Sequence, residues 1–144
     1  HSFDYQRASG GIDYLTFMIK YALGVPFVVN SQMPVDRGFA VTYSPYFKPN
    51  GGSVVEQIIG LEDVRNMKEI ITFMPIVYEG YAIDGDKPRK IMMITVYSKD
   101  LDTIISDIAH VNKILKVRTD KGISPVYAEL TDADIITALK PNRI

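Results

Sequence analysis

The chain has 144 residues, of which 47% are hydrophobic and 23% are charged, so it has enough apolar side chains for the core of a globular domain. Its net charge of −1 and its pI near 6.1 argue against a nucleic-acid-binding protein, which normally carries a basic face. The absence of cysteine excludes disulfides, thiol nucleophiles and cysteine-based zinc sites, and it fits a cytoplasmic location. No window holds the ~18 apolar residues of a transmembrane helix, so we expect no membrane partner.

The first elements of the chain follow a helical pattern and then a loop pattern. Apolar residues recur at helical spacing over residues 12–23, and Gly24 followed by Pro26 ends this predicted helix. A short apolar run over residues 25–29 and a loop over residues 30–38 follow it.

The middle of the chain changes to a strand pattern, in which turn signals separate runs of β-branched, aromatic and other apolar residues. Pro75 lacks an amide donor, so we expect its strand to lie at a sheet edge or at a bulge. Apolar residues on both faces of residues 89–97 predict a central strand. The predicted strands cover residues 39–47, 53–59, 69–78, 89–97 and 116–118.

Three further helices are predicted. Residues 61–67 read as a short helical turn, and residues 98–115 as an amphipathic helix with Ser98 at its N-cap. Residues 131–134 have the pattern of a capping box, which opens a short helix over residues 133–139. Short turns between the strands favour antiparallel pairing, so we expect an α+β fold, mainly an antiparallel sheet with helices packed on one side.

The most distinctive chemical feature lies near the N-terminus, where an acid, an amide and an arginine precede a pair of glycines. Such groups hold phosphate or a divalent metal, and glycine lets the backbone approach a ligand closely. Because the cluster stands at the edge of the chain, we expect the rest of its site to lie in a preceding part of a larger protein. The residues concerned are Asp4, Gln6, Arg7, Ser9, Gly10 and Gly11.

The order of motifs resembles that of ATP-grasp ligases, particularly the amino-acid ligases and the biotin-carboxylase-like members. Residues 52–64 are similar to the start of their C-terminal subdomain, in which a strand ending in glycine leads into Leu-Glu-x-Val. Gly85 and Asp86 stand at the family's Gly-Asp turn, and a strand, a helix and a short strand follow. Upstream, residues 7–11 and 23–25 resemble the end of the ATP-binding lobe. The resemblance spans roughly residues 3–118.

This resemblance implies roles for the N-terminal cluster. The family's arginine lies near the phosphate or the acyl phosphate, where a guanidinium makes bidentate contacts, so Arg7 is the implied catalytic residue. Ser9, Gly10 and Gly11 are the implied nucleotide-binding residues.

Asp4 and Gln6 are the implied metal ligands, although they stand one position away from the family's pattern. The family's acid and asparagine lie four and two residues before the arginine, where this chain has Phe3 and Tyr5. On a strand, a shift of one residue turns a side chain to the opposite face.

The resemblance implies that residues 1–50 are the end of an ATP-grasp catalytic lobe and that residues 51–144 are the C-terminal α+β subdomain. The implied parent is a carboxylate–amine ligase that uses ATP and magnesium to activate a carboxylate before an amine attacks it. In the family, the lysine-bearing nucleotide clamp and a glycine-rich loop precede the arginine motif. We therefore expect the chain alone to bind neither ATP nor magnesium tightly and to be inactive as a ligase.

Other interpretations stay open at the level of the sequence. The chain is alternatively a stand-alone α+β module that binds a ligand or a partner without catalysis, or an accessory subunit that completes a ligase in trans. A homodimer or a complex with an ATP-binding lobe is the expected assembly. Residues 43–48 are either a ligand platform or ordinary sheet packing. Residues 84–86 most simply form a hairpin turn, because the spacing of a calcium loop is absent, and His110 is a surface or boundary residue.

Overall fold

The computed structural model describes residues 14–25 and 38–127, together with residues 133 and 137. Every strand pair within these residues is antiparallel, and helices pack beside the sheets, which confirms the predicted α+β class. The helices are α1 (Tyr14–Ala22), α2 (Leu61–Arg65) and α3 (Leu101–Ile114). The strands are β1 (Phe39–Tyr43), β2 (Tyr46–Phe47), β3 (Ser53–Ile59), β4 (Ile70–Pro75), β5 (Ala82–Ile83), β6 (Arg89–Lys90), β7 (Met92–Ser98), β8 (Lys116–Thr119) and β9 (Gly122–Tyr127).

A three-stranded sheet with the order β1–β7–β4 forms one part of the fold. Strand β7 lies in its centre, as the apolar residues on both faces of residues 89–97 predict, and its side chains are mostly buried. Pro75 ends the edge strand β4, so the predicted edge position is confirmed. Helix α3 packs against β1 and β7 and buries Ile104, Ile108 and Val111.

The other sheet has six strands in the order β5–β3–β8–β9–β2–β6, and it is curled. Five inter-strand gaps of about 4.8 Å would separate the edges of a flat sheet by about 24 Å. The chain from Ile83 in β5 to Arg89 in β6 spans at most about 21 Å. Arg89 moreover donates a hydrogen bond to the carbonyl oxygen of Asp84 at 2.8 Å. The two edges of this sheet therefore approach each other.

Two long predicted strands each bend and pass from one sheet to the other. The predicted strand 39–47 divides into β1 and β2, and the predicted strand 89–97 divides into β6 and β7, which extends to Ser98, with Ile91 at the second bend. The Ile91 amide donates to the Pro45 carbonyl at 2.8 Å, so the two bends are hydrogen-bonded to each other. The buried apolar residues of both sheets and α3 form one core cluster, in which Ile91 is fully buried.

The ends of the helices follow local chemistry, with one correction. Helix α1 ends before Gly24, whose φ of 65° only glycine adopts readily. Asp100, and not the predicted Ser98, caps α3, because its carboxylate accepts hydrogen bonds from the amides of Asp102 and Thr103. The Ser98 hydroxyl instead accepts a hydrogen bond from the Asp100 amide at 3.1 Å.

Strands β5 and β9 are absent from the sequence prediction. Strand β5 has two residues, and β9 contains Pro125, which argues against a strand in the middle of a sheet. Ala133 and Thr137 are helical, in agreement with the helix predicted over residues 133–139. The division at residue 50 stays a prediction; β1 and β2 pair across it with β6, β7 and β9.

Candidate functional site

The predicted catalytic, nucleotide-binding and metal-binding residues lie outside the described residues. The roles implied for them therefore stay predictions. These residues are the catalytic Arg7, the nucleotide-binding Ser9, Gly10 and Gly11, and the metal-binding Asp4 and Gln6.

Within the described residues, three turns meet at one place, which we call the turn junction: residues 50–52, 84–88 and 120–122. The Gly51 amide donates to Asp86 Oδ1 at 2.7 Å, and the Gly51 carbonyl accepts from Lys121 Nζ at 2.6 Å. The Gly52 amide donates to the Ile83 carbonyl at 2.9 Å. Charged side chains from two separate turns thus hold both sides of the glycine at position 51.

The junction is tightly packed at residues 51 and 52. A Cβ on Gly51 would lie 2.5 Å from Asp86 Oδ1, so the Asp86 side chain would have to move, and it would lie in a tight contact of 3.2 Å with the Gly85 carbonyl carbon. Gly52 has a φ of 66°, in the left-handed region that other residues enter at a cost of about 1–2 kcal/mol. The glycine pair therefore allows the three turns to come close together.

A second set of hydrogen bonds fixes the turn at residues 120–122 against β3. The Val54 amide donates to Asp120 Oδ1 at 2.9 Å, and the Asp120 amide donates to the Val54 carbonyl at 3.1 Å. The Thr119 hydroxyl donates to the Gly122 carbonyl at 3.2 Å, which closes the turn itself. The position of Lys121 in the junction follows from this anchoring.

Two buried polar atoms at this end of the curled sheet lack a hydrogen-bond partner within the described part of the chain. They are Ser53 Oγ, in a residue that is 1% exposed, and Arg89 Nε. Ser53 lies directly opposite Ile83 in the sheet, and the carbonyl of the next residue, Asp84, accepts the Arg89 hydrogen bond. A buried donor without a partner costs about 1–3 kcal/mol.

The charges of the junction are balanced, so they do not select the sign of a ligand. The three turns and Arg89, the first residue of β6, carry three acids and three bases, which are Asp84, Asp86, Asp120, Lys87, Arg89 and Lys121. Across the ranges that the structure describes, no three histidine or acidic side chains are arranged to hold a metal ion. The segment 84–88 is a turn, but it is not the predicted hairpin, because β5 pairs with β3 and β6 pairs with β2.

A smaller polar cluster lies on α3. Burial raises the pKa of the Asp107 carboxyl, the Glu69 carboxylate raises it further, and His110 lowers it. Asp107 Oδ2 is buried and has no hydrogen-bond partner in the described residues. His110 is exposed, as predicted. The cluster is a pair of like charges and carries no arrangement for catalysis.

The aromatic residues of β1 and β2 mostly belong to the core. Tyr43 and Phe47 are buried, which favours sheet packing over the ligand platform. The Tyr43 hydroxyl donates to Asn112 Oδ1 at 2.6 Å. Burial raises the pKa of Tyr43, and this hydrogen bond lowers it in part. Tyr46 alone of the three is partly exposed, since its side chain points to the other face of the sheet.

The sequence pattern does not single out Ser53, Arg89 or Lys121 as members of a site. Asp120, Lys121 and Gly122 form a recognisable turn signal, but nothing local indicates that the lysine reaches Gly51, 70 residues away in the chain. The junction depends on the order of the strands in the six-stranded sheet, and the spacing of motifs along the sequence does not predict that order.

None of the helices among the described residues has the length and apolar character needed to cross a membrane. Comparison of the chain with models of protein families, with curated proteins and with solved structures gives no match.

Proposed function

We propose that the chain is the C-terminal part of a carboxylate–amine ligase of the ATP-grasp type. In this reaction a carboxylate oxygen takes the γ-phosphoryl group of ATP and ADP leaves. The nitrogen of an amine then attacks the acyl carbon, phosphate leaves and an amide bond forms. The observation that carries the proposal is the contact between Gly51, the residue directly before the strand motif that begins at Gly52, and Asp86 of the Gly-Asp turn.

That contact joins positions 35 residues apart in the chain, through the hydrogen bond from Gly51 to Asp86. A chance similarity of short motifs gives no reason for these positions to touch. Their contact supports the view that the motifs belong to one structural unit, which is what the resemblance implies.

The corner between β3 and α2 gives further support. Gly60 ends the strand of the motif and precedes its Leu-Glu helix, and it has a φ of 81°. A Cβ at this position would lie 2.7 Å from the carbonyl oxygen of Ile114, at the end of α3. The glycine of the motif therefore stands where this fold requires one, so its role here is structural.

In the proposed reaction, the N-terminal cluster supplies the chemistry. Arg7 would hold oxygens of the phosphate or the acyl phosphate, and Ser9, Gly10 and Gly11 would lie against the nucleotide. Magnesium, which stabilises the transferred phosphoryl charge when bound, would be held by Asp4 and Gln6. The described residues, from Gly52 onward, would close one side of the site.

The test is the activity of the whole reading frame that encodes this chain. We expect an ATP-binding segment upstream of Arg7 and release of phosphate from ATP that depends on a carboxylate and an amine, measured across a panel of amino acids. Arg7→Ala should reduce kcat by roughly 100-fold or more, as loss of a group that stabilises transition-state charge does. Arg65→Ala, which removes an exposed arginine paired with Glu62, is the matched control and should keep its activity.

Two other outcomes separate the alternatives. If the reading frame lacks an ATP-binding segment and shows no ATP-dependent release of phosphate, the ligase proposal is wrong and the stand-alone binding module is favoured. Phosphate release that appears only after addition of a separately encoded ATP-binding polypeptide would identify the chain as an accessory subunit.

A further inference from the structure

The outer face of the curled six-stranded sheet carries a pair of tyrosines. Tyr46 in β2 lies directly opposite Tyr127 in β9, and Lys90 in β6 lies opposite Tyr46. Directly opposite residues of an antiparallel pair point to the same face. Their neighbours Phe47 and Val126 are the more buried residues of the two strands, so the tyrosines face outward. Tyr127 is 45% exposed.

Basic side chains line the same face beside the tyrosines. Lys116 and Arg118 in β8 are exposed, and they lie opposite Pro125 and Ile123 in β9. Since Ile123, Pro125 and Tyr127 alternate along β9, all these residues share one surface. We call it the tyrosine–cation face, and it consists of Tyr46, Lys90, Lys116, Arg118 and Tyr127.

The three cations of the face are not neutralised within the described residues. None of them forms an ion pair with a carboxylate there, and Lys90 Nζ instead lies 5.8 Å from the centroid of the Tyr46 ring. Glu56 in β3 is an exposed acid at the irregularity beside Gln57, which lies opposite Arg118. Within the described part of the chain, the face thus carries three cations without an ion-pair partner, although the net charge of the whole chain is −1.

We infer that the tyrosine–cation face binds single-stranded nucleic acid. Bases stack on exposed aromatic rings, and a row of cations follows the phosphates, without any need for a deep pocket. The two tyrosines lie opposite each other on neighbouring strands; Tyr127 is exposed and offers the main stacking surface, and Tyr46 beside it is partly exposed. An acidic protein partner fits less well, because lysine is depleted in the centres of protein interfaces. A second copy of the same face would bring like charges together.

The experiment measures fluorescence anisotropy of a labelled oligothymidylate or oligouridylate of about 12 nucleotides with the 144-residue chain. Binding is expected at about 50 mM salt. Three phosphate contacts give a slope near −2 for log K against log salt, so affinity should fall roughly 20-fold on a fourfold increase in salt. Tyr127→Ala should weaken binding by roughly 5-fold to 100-fold through the loss of one stacked base.

Matched variants separate this face from general electrostatics. The double variant Lys116→Glu with Arg118→Glu should weaken binding more than roughly 10-fold and flatten the salt slope. Lys68→Glu with Lys113→Glu makes the same change in net charge at exposed residues elsewhere and should bind almost normally.

Tyr78→Ala is the aromatic control, because Tyr78 is 63% exposed on a different segment, where it packs edge-on against Tyr81. No binding at low salt overturns the inference. Equal weakening by the two charge pairs overturns it as well. Competition by polyglutamate together with full binding by Tyr127→Ala would replace it with an acidic protein partner. Circular dichroism of each variant checks that the fold is retained.

Discussion

The substitution Gly60→Ala tests whether the corner between β3 and α2 needs glycine for its conformation alone or also for close packing. Gly60 has a φ of 81°, and a Cβ there would lie 2.7 Å from the Ile114 carbonyl oxygen and 3.0 Å from its carbon. Both contacts are with backbone at the end of α3, which has little freedom to move. Gly80 is the matched control, since it has a φ of 86° and nothing within 4 Å of an added Cβ.

The two sites share the conformational cost and differ in the steric cost. Alanine in the left-handed region costs about 1–2 kcal/mol, and the reduced entropy of the unfolded chain returns about 0.4–1 kcal/mol. Gly80→Ala should therefore lower the free energy of unfolding by at most about 1.6 kcal/mol. Gly60→Ala adds the cost of overpacking, about 1–3 kcal/mol, so it should be less stable than Gly80→Ala by that amount.

Urea unfolding of the two variants and the parent chain measures the difference. With a slope m of about 2 kcal/mol/M, the midpoint should fall by about 0.8 M or less for Gly80→Ala and by about 0.5–1.5 M more than that for Gly60→Ala, with m unchanged. Equal midpoint shifts for the two variants would refute the packing of Gly60 against α3. That result would also remove the structural reason for the glycine in the motif.

Two further substitutions test the polar groups of α3. Asp107→Asn should raise Tm at pH 7, because burial and Glu69 raise the pKa of Asp107 in the folded state. Because the pKa of this acid is higher in the folded state than its unfolded value of about 3.9, the protein loses stability as the pH rises from about 3.9 through the folded pKa. Near pH 3 the carboxyl is protonated in both states, so the gain in Tm from Asp107→Asn should disappear there. A gain in Tm that is the same at pH 3 and at pH 7 would contradict this explanation. Tyr43→Phe removes the hydrogen bond to Asn112 and should lower the free energy of unfolding by about 0.5–1.5 kcal/mol in urea; an unchanged midpoint would show that this bond contributes nothing.

Local chemistry is sufficient to predict the elements whose physical cause is local. Gly24 ends a helix, Pro75 restricts its strand to an edge, and the apolar residues on both faces of residues 89–97 indicate a central strand. The bend at Ile91 is different in kind, because nothing in its neighbours distinguishes a strand that passes between two sheets from one that stays in a single sheet. Strand β9 contains Pro125, which disfavours a strand locally, and its pairing with β8 and β2 outweighs that preference.

The candidate sites depend on long-range pairing to a greater degree. Lys121 and Gly51 form a hydrogen bond only because β8 pairs with β3, and Tyr46 meets Tyr127 only because β9 pairs with β2. The net charge, which argues against a partner rich in phosphate, is a sum over the whole surface. The net charge does not show that Lys116 and Arg118 lie together on one face, whereas the register of the strands does show it.

Strand β6 directly follows the turn junction and contributes Lys90 to the tyrosine–cation face, and its two residues point to opposite sides of the sheet. Arg89 lies opposite the buried Phe47 and reaches the Asp84 carbonyl, whereas Lys90 lies opposite Tyr46 on the outer face. Adjacent residues of a strand point to opposite faces, so the two surfaces can be changed independently. A change at Arg89 acts on the closure of the sheet and hence on any ligase site that the junction helps to shape. A change at Lys90 acts on the outer surface alone. The proposed ligase function and the proposed nucleic-acid binding can therefore be tested independently, and the failure of one leaves the other unaffected.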